Sequence, residues 1–183
     1  MTKHILNGYR VIDLTHVLAG PSATRLMAEM GAEVIKVEFP PVGDIARVLP
    51  VVKNGRSAYY VQQNRGKLSI SLDIKCAEGK EILTELIRSA DVLIENFAPG
   101  VIGRLGFGWE KVKAINPRIV MCSMSAFGQE GELSALPGFD YIAQAYSGIM
   151  GMIGEKDGPP SFPMAGIGDV MTGTHAFAAV GYA

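Results

Sequence analysis

The sequence is poor in cysteine and histidine, and this scarcity excludes several kinds of site. Its two cysteines, Cys76 and Cys122, are far apart and form no C-x-x-C pair, so neither a zinc site nor a disulfide framework is indicated. We expect both thiols to be buried. The three histidines, His4, His16 and His175, do not have metal-ligand spacing, and no metal centre is expected.

Net charge and long apolar runs are also lacking. Lys and Arg number 17 against 18 Asp and Glu, a formal net charge of −1, which argues against a nucleic-acid partner or a polybasic membrane contact. No stretch reaches the roughly 18 apolar residues of a membrane span, and residues 1–7 lack the apolar centre of a signal peptide. These absences predict a cytoplasmic protein with no membrane partner.

Glycine, in contrast, is abundant. The 22 glycines are about 12% of the chain, against roughly 7% in an average protein. Glycine permits tight turns and lets a ligand approach the backbone closely. The apolar fraction of 48% is sufficient for a core of ordinary size, so the composition indicates a folded domain with many turns.

Apolar patterning predicts alternating strands and helices. Strands are expected at 11–14, 33–38, 68–74, 92–94 and 119–122, and helices at 22–30, 77–89, 101–105, 109–115, 140–150 and 169–183. Residues 19–21 are expected to form a break before the first helix. Residues 41–67 are expected to connect the strands at 33–38 and 68–74 without a helix. Ile82, Leu83, Leu86 and Ile87 would form the apolar stripe of the second helix. The alternation indicates an α/β domain with a mostly parallel sheet.

Parallel sheets bind ligands beyond the carboxyl ends of their strands. In this chain those ends are followed by residues 15–18, 96–97 and 123–128 and include Glu38. A dinucleotide site is disfavoured because residues 18–21 have one glycine and a proline where G-x-G-x-x-G is needed. Ser123 and Ser125 do not occur in G-x-S-x-G, which gives a serine hydrolase little support.

Asp169 is the carboxylate that the sequence singles out. It follows Ala165-Gly166-Ile167-Gly168 and opens an apolar helix, so one interpretation is a helix N-cap. The other is a covalent nucleophile, kept ionised by the helix dipole and left accessible by the flanking glycines. His175, in the same helix, is expected to pack in the core. Candidates to hold a phosphate are the basic side chains Arg65, Lys67, Lys75 and Arg104.

Several blocks together resemble the family III CoA-transferases, also called the CaiB/BaiF family. They run in family order at residues 11–21, 31–38, 64–67, 72–75, 95–100, 104–106, 116–118, 138–140, 158–160 and 168–169. The resemblance implies a large domain with a Rossmann-like, doubly wound core, a smaller second domain and an interlocked homodimer. Because family members are longer, it implies that residues 1–183 are the N-terminal part of the large domain, without the small domain and the C-terminal return.

The resemblance also implies a reaction. In the family the aspartate matching Asp169 attacks an acyl-CoA thioester to form an aspartyl anhydride, which CoA converts to an aspartyl-CoA thioester before a carboxylic acid receives the CoA. CoA is thus a substrate, alongside a small carboxylic acid, and no cofactor is bound permanently. The implied CoA contacts are His16, Val17, Leu18, Ala19, Leu72, Asp73, Ile74, Lys75, Asn96, Phe97, Ala98, Arg104, Pro137, Gly138, Phe139 and Asp140.

Two further readings are open, and one substrate is disfavoured. α-Methylacyl-CoA racemases share the fold, but they have a proton-carrying His at the position of Phe139. The second alternative is that residues 1–183 alone form an inactive CoA-binding fragment. Formyl-CoA transferases commonly have Gln at the position of Leu18, so the resemblance argues against formyl transfer. The donor and acceptor acids are otherwise unspecified.

Overall fold

A computed structural model describes residues 4–49 and 51–183. Five strands form one parallel sheet and two very short strands form a hairpin. The strands are β1 (Arg10–Asp13), β2 (Glu33–Glu38), β3 (Val52–Lys53), β4 (Arg56–Ser57), β5 (Leu68–Ser71), β6 (Val92–Glu95) and β7 (Val120–Ser123). The helices are α1 (Ala19–Glu29), α2 (Ala58–Asn64), α3 (Ala77–Arg88), α4 (Val101–Arg104), α5 (Trp109–Ile115), α6 (Asp140–Tyr146) and α7 (Ile167–Tyr182), with 3₁₀ turns at Ile45–Val48 and Ile149–Gly151.

The strand order in the large sheet is β5-β2-β1-β6-β7. Ile12 of the central strand β1 is in register with Ile35 of β2 on one side and with Leu93 of β6 on the other. The chain therefore winds outward from β1 in both directions, as in doubly wound folds, and the order reverses beside β1. This arrangement confirms the predicted α/β class and the parallel sheet.

Each face of the sheet has its own apolar core, because successive side chains of a strand point to opposite faces. Ile12 and Leu93 pack on one face with Leu83 and Ile87 of α3. The opposite face is built around the side chains Val11, Met27, Val34, Ile94 and Ala176, so it is covered by α1 and α7.

Helices α1 and α7 lie very close together because Gly173 has no side chain. A Cβ atom at this position would lie 1.9 Å from Oγ of Ser22 and 2.5 Å from the carbonyl oxygen of Ala19. Such distances are far inside van der Waals contact, so only glycine permits this packing. The close approach brings the start of α7 to the loop between β1 and α1.

Most predicted elements are confirmed, but several boundaries were wrong. Helix α1 begins at Ala19, so residues 19–21 do not interrupt it; Pro21 is its third residue, where no intrahelical N–H is needed. Residues 41–67 contain α2 and the hairpin, which are too short to give a periodic signal; Pro50 lies outside the described residues. Strand β5 ends at Ser71, and α6 ends at Tyr146 before a 3₁₀ turn.

Four side-chain expectations also fail. Ile82 is 45% exposed, so the buried stripe of α3 is narrower than predicted. Cys76 is exposed, because its thiol caps α3 and accepts from the amide of Gly79 at 3.4 Å, while Cys122 is half-buried. His175 is exposed on α7, where its Nδ1 lies 2.7 Å from the carbonyl oxygen of Met171, so it does not pack in the core. Lys67 is buried in an ion pair, as described below.

Candidate functional site

A cavity of about 210 Å³ opens beside the carboxyl ends of β1, β6 and β7. This is the edge at which a doubly wound sheet binds its ligand. The β1–α1 loop and the N-terminal ends of α6 and α7 form its walls. The lining residues are His16, Val17, Leu18, Ala19, Asn96, Met124, Ser125, Ala126, Gly138, Phe139, Asp140, Ala143, Gly168, Asp169 and Thr172.

Asp169 is the third residue of α7 rather than its N-cap. The cap position is Gly166, whose φ of 82° lies in the left-handed region that favours glycine. Asp140 satisfies the first amides of the helix instead. Its Oδ2 accepts from Gly166 N at 2.7 Å and its Oδ1 from Gly168 N at 2.7 Å. The N-cap interpretation of Asp169 is therefore wrong, and its carboxylate has no hydrogen-bond partner within residues 4–49 and 51–183.

The carboxyl group of Asp169 is less acidic than an ordinary aspartate. Burial is the main reason that its pKa is raised to about 6, and the charge of Asp140 adds to the effect. The helix dipole was expected to favour the anion of Asp169. Because Asp140 already occupies the helix amides, the dipole stabilises that carboxylate first. Asp169 is still mostly ionised above pH 6, and its raised pKa makes the anion more basic.

The β1–α1 loop is held by side chains from the next strands. The amide of Asn96 spans His16, accepting from its N–H at 2.8 Å and donating to its carbonyl oxygen at 2.9 Å. The imidazole stacks on Phe39, with ring centroids 5.6 Å apart, and lies 5.8 Å from Phe97. Burial lowers the pKa of His16, an effect that the Asp44 charge opposes. The ring is therefore neutral at neutral pH.

Leu18 contributes an apolar side chain to the cavity that Asp169 also lines. It is 8% exposed, and a Cβ atom on Gly166 would lie 2.6 Å from its Cδ2 atom. Leu18 thus packs directly against the turn that begins α7.

The structure brings half of the predicted CoA contacts into one cavity and leaves the other half outside its lining. Inside it are His16, Val17, Leu18, Ala19, Asn96, Gly138, Phe139 and Asp140. Leu72 and Ile74 are buried in the core beneath the sheet edge, so their side chains face away from solvent. Phe97 is half-buried against His16. Asp73, Lys75, Ala98, Arg104 and Pro137 are exposed after strands β5, β6 and β7.

The four basic candidates for a phosphate divide into two pairs. Arg65 forms an ion pair with Glu29, and Lys67 is buried with its Nζ 2.9 Å from Oδ2 of Asp13. Lys67 is therefore not free to bind an anion, and that expectation is wrong. Arg65 is exposed, so a phosphate contact there stays a prediction. Lys75 and Arg104 have exposed side chains without an ion-pair partner within the described ranges.

Sequence reasoning missed several site residues. Thr172 and Ala143 line the cavity because each lies three residues beyond Asp169 or Asp140 on the same helix face, a spacing that the sequence contains. Tyr59 of α2, a helix that was also missed, does not line the cavity but is near enough to Asp169 to be affected by its charge. Its pKa is raised to about 12, by burial first and then by the charge of Asp169.

Within residues 4–49 and 51–183, no group of three or more His, Cys, Asp or Glu side chains could hold a metal ion. No helix in those same ranges is both long and apolar enough to cross a membrane.

Comparisons with known proteins identify relatives over nearly the whole chain. The sequence profile of CoA-transferase family III matches residues 6–183. A formyl-CoA:oxalate CoA-transferase from Streptomyces coelicolor is 49% identical over 98% of this chain and 44% of its own length. One from Rhodopseudomonas palustris is 48% identical over 96% of this chain and 41% of its own. A crystal structure of a CaiB/BaiF family protein from Brucella suis superposes with a TM-score of 0.93 and 36% identity, covering 99% of this chain and 49% of that one.

The chain thus spans less than half the length of the curated relatives that it matches. Both relatives are named for formyl transfer, the activity that Leu18 was expected to disfavour. The profile match over residues 6–183, together with the parallel sheet and its edge cavity, establishes the family: the chain belongs to CoA-transferase family III.

Proposed function

We propose that the full-length protein transfers CoA from an acyl-CoA to a free carboxylic acid, with Asp169 as the nucleophile. The observation that carries this proposal is the Asp169 carboxylate, which lines the cavity and has no hydrogen-bond partner in the described ranges. Its pKa of about 6 keeps it ionised at neutral pH and more basic than an ordinary aspartate. Both properties favour nucleophilic attack on a thioester carbonyl.

The reaction consists of two exchanges that mirror each other. Asp169 attacks the donor thioester, the C–S bond breaks, and an aspartyl anhydride and CoA thiolate form. The thiolate attacks the aspartyl carbonyl, which releases the donor acid and leaves an aspartyl-CoA thioester. The acceptor carboxylate then displaces the thiolate to give a new anhydride. Attack of the thiolate on the acceptor's acyl carbon finally releases the new acyl-CoA and restores Asp169.

The other site residues have supporting roles in this proposal. Asp140 fixes the start of α7 through the amides of Gly166 and Gly168, and so orients Asp169. The β1–α1 loop from His16 to Ala19 contacts the CoA chain, and the exposed cations Lys75 and Arg104 pair with its phosphates. Leu72 and Ile74, whose side chains are buried, offer only backbone groups.

Formyl-CoA and oxalate are the donor and acceptor to test first, because the relatives at 48–49% identity are named for this pair. The sequence expectation based on Leu18 points the other way. An apolar wall at Leu18 suits a donor or acceptor with a hydrocarbon part, so succinyl-CoA and acetyl-CoA with a panel of acids form the second arm of the assay.

The family resemblance supports two proposals about architecture. Residues 1–183 are the N-terminal part of the large domain, and the relatives' greater length leaves room for a second domain. The full-length protein is an interlocked homodimer, which analytical ultracentrifugation would test. A racemase is not supported, because Phe139, 80% exposed at the cavity, has no group that can carry a proton.

Trapping the acyl-enzyme tests the proposal. The full-length protein is incubated with formyl-CoA, and in parallel with succinyl-CoA, in the presence of hydroxylamine. Peptide mass spectrometry should then find a hydroxamate on Asp169. Asp169→Asn should abolish both the adduct and CoA exchange. Glu110→Gln, which changes an exposed carboxylate in the first turn of α5, is the matched control and should alter neither. Exchange that persists in Asp169→Asn would refute the proposal.

A further inference from the structure

We propose that Asp44, paired with the buried Lys36, is a positioning residue for CoA binding, and that it acts by holding Val17 in a left-handed backbone conformation. The inference rests on the proposed function. Neither side chain lines the cavity. Both lie beneath the β1–α1 loop, and their effect on a ligand would pass through the backbone of that loop.

Val17 is the unusual residue of the loop. Its φ is 67°, in the region that favours glycine, and β-branched residues are rarely found there. Such a conformation persists only where the surrounding structure determines it. Val17 lines the cavity between His16 and Leu18, so its conformation sets the direction of the chain on both sides.

Asp44 supplies one of the contacts that determine this conformation. Its Oδ1 atom accepts from the N–H of Val17 at 3.1 Å and from the N–H of Ala46 at 2.9 Å. The carboxylate is itself fixed from behind, because the N–H of Asp44 donates to Oε2 of Glu38 at 3.0 Å. A buried carboxylate therefore receives the amide of the strained residue.

Lys36 connects the same carboxylate to the start of the loop. Its Nζ atom lies 3.0 Å from Oδ2 of Asp44 and donates to the carbonyl oxygen of Thr15 at 2.7 Å. The side chains of Lys36 and Asp44 are 1% and 0% exposed. Such a pair is costly to bury, and mutation of one partner leaves the other without compensation. The pair links the two backbone groups that flank His16, which are the carbonyl oxygen of Thr15 and the N–H of Val17.

A double-mutant cycle in the full-length protein distinguishes positioning from general stabilisation. The variants are Asp44→Ala, Val17→Gly and the two combined, and the measurement is the Kd for CoA by titration calorimetry. Asp44→Ala should weaken binding about tenfold, the scale of one lost hydrogen bond to a charged group. Glycine adopts a positive φ without steric cost. The Asp44→Ala effect should therefore be smaller, within about threefold, when residue 17 is glycine.

Asp44→Asn provides the control if Asp44→Ala does not fold. Asparagine retains an oxygen that can accept from Val17 but loses the charge that pairs with Lys36. We expect its melting temperature to fall while its Kd for CoA stays within about threefold of the unchanged protein. A merely structural role would move both. The proposal is overturned if Asp44→Asn raises the Kd for CoA by clearly more than about threefold while it also lowers the melting temperature. It is overturned as well if the effect of Asp44→Ala on the Kd is as large with glycine at position 17 as with valine.

These measurements are independent of turnover. If the unchanged protein binds CoA but Asp169 is never acylated, the proposed reaction fails and the positioning test still applies. If Asp169 is acylated and the Asp44 variants bind CoA normally, the positioning role alone fails.

Discussion

Replacing Asp140 by asparagine should shift the pH dependence of catalysis to lower pH. In the proposed reaction Asp169 must be ionised to attack a thioester, so kcat/KM should fall as the pH drops through its pKa of about 6. At pH 5 about one-tenth of this group is ionised, and the rate should be about tenfold below its plateau. Burial raises the pKa of Asp169 most, and the charge of Asp140 is the second cause. Asp140→Asn removes the second cause only.

The size of the shift is bounded by the structure. Because Asp169 stays buried in the variant, its pKa should lie above the ordinary 3.8 and below about 6. At pH 5 the variant should therefore retain a larger share of its own plateau rate than the unchanged protein does. The plateau itself should fall, because asparagine cannot accept from both Gly166 N and Gly168 N through two carboxylate oxygens. The informative quantity is the midpoint of the acid limb.

The assay is kcat/KM for the acyl-CoA between pH 4.5 and 8 in the full-length protein. Glu130→Gln removes an exposed carboxylate from the segment between β7 and α6, and it should leave the midpoint unchanged. An acid limb that stays at the same pH in Asp140→Asn, or that moves upward, would refute the electrostatic reasoning. It would mean that the limb belongs to another group.

Three other outcomes follow from the same structure. Because the folded state raises the pKa of Asp169, its ionisation costs stability above about pH 4, so Asp169→Asn should raise the melting temperature at pH 7.5 and not at pH 4. Lys67→Met leaves the fully buried Asp13 without its ion pair and should lower the free energy of unfolding by roughly 3–5 kcal/mol, measured by urea titration. Exposed Cys76 should react with a thiol reagent before half-buried Cys122, whose pKa is raised by burial; equal rates that persist in Cys76→Ser would contradict this.

The strands of the sheet were predicted well because a buried strand requires either an apolar run or an apolar–polar alternation, and both can be read directly from the sequence. The apolar run at 92–94 and the alternation at 33–38 correspond to strands β6 and β2. It failed where elements are short or are fixed by distant partners. Helix α2 has seven residues and is capped by Ser57, whose hydroxyl accepts from the N–H of Tyr60. Two turns of helix are too few to show a period of 3.6 residues.

The candidate site was predicted in position but not in its electrostatics. Strand-end reasoning placed His16, Asn96 and residues 123–128 at one edge, and the cavity lies there. The sequence could not show that Lys67 would be buried against Asp13, since 54 residues separate them. From the sequence, Lys67 was a candidate to hold a phosphate. Only the fold determines which cation remains exposed.

Three aspartates near this edge of the sheet show how environment separates their roles. Burial alone would raise the pKa of Asp13, but Lys67, Lys36 and the hydroxyls of Thr15 and Thr24 overcome it and hold the pKa well below its usual range. Asp140 accepts from the first amides of α7.

The carboxylate of Asp169 forms neither an ion pair nor a hydrogen bond within the described ranges, and its pKa is raised. A carboxylate that is already stabilised by an ion pair or by amides would lose that stabilisation on acylation. Asp169 has none to lose, since forming an anhydride or thioester removes a charge that the site destabilises. The same lack of partners that costs folding stability thus favours the proposed covalent step at Asp169.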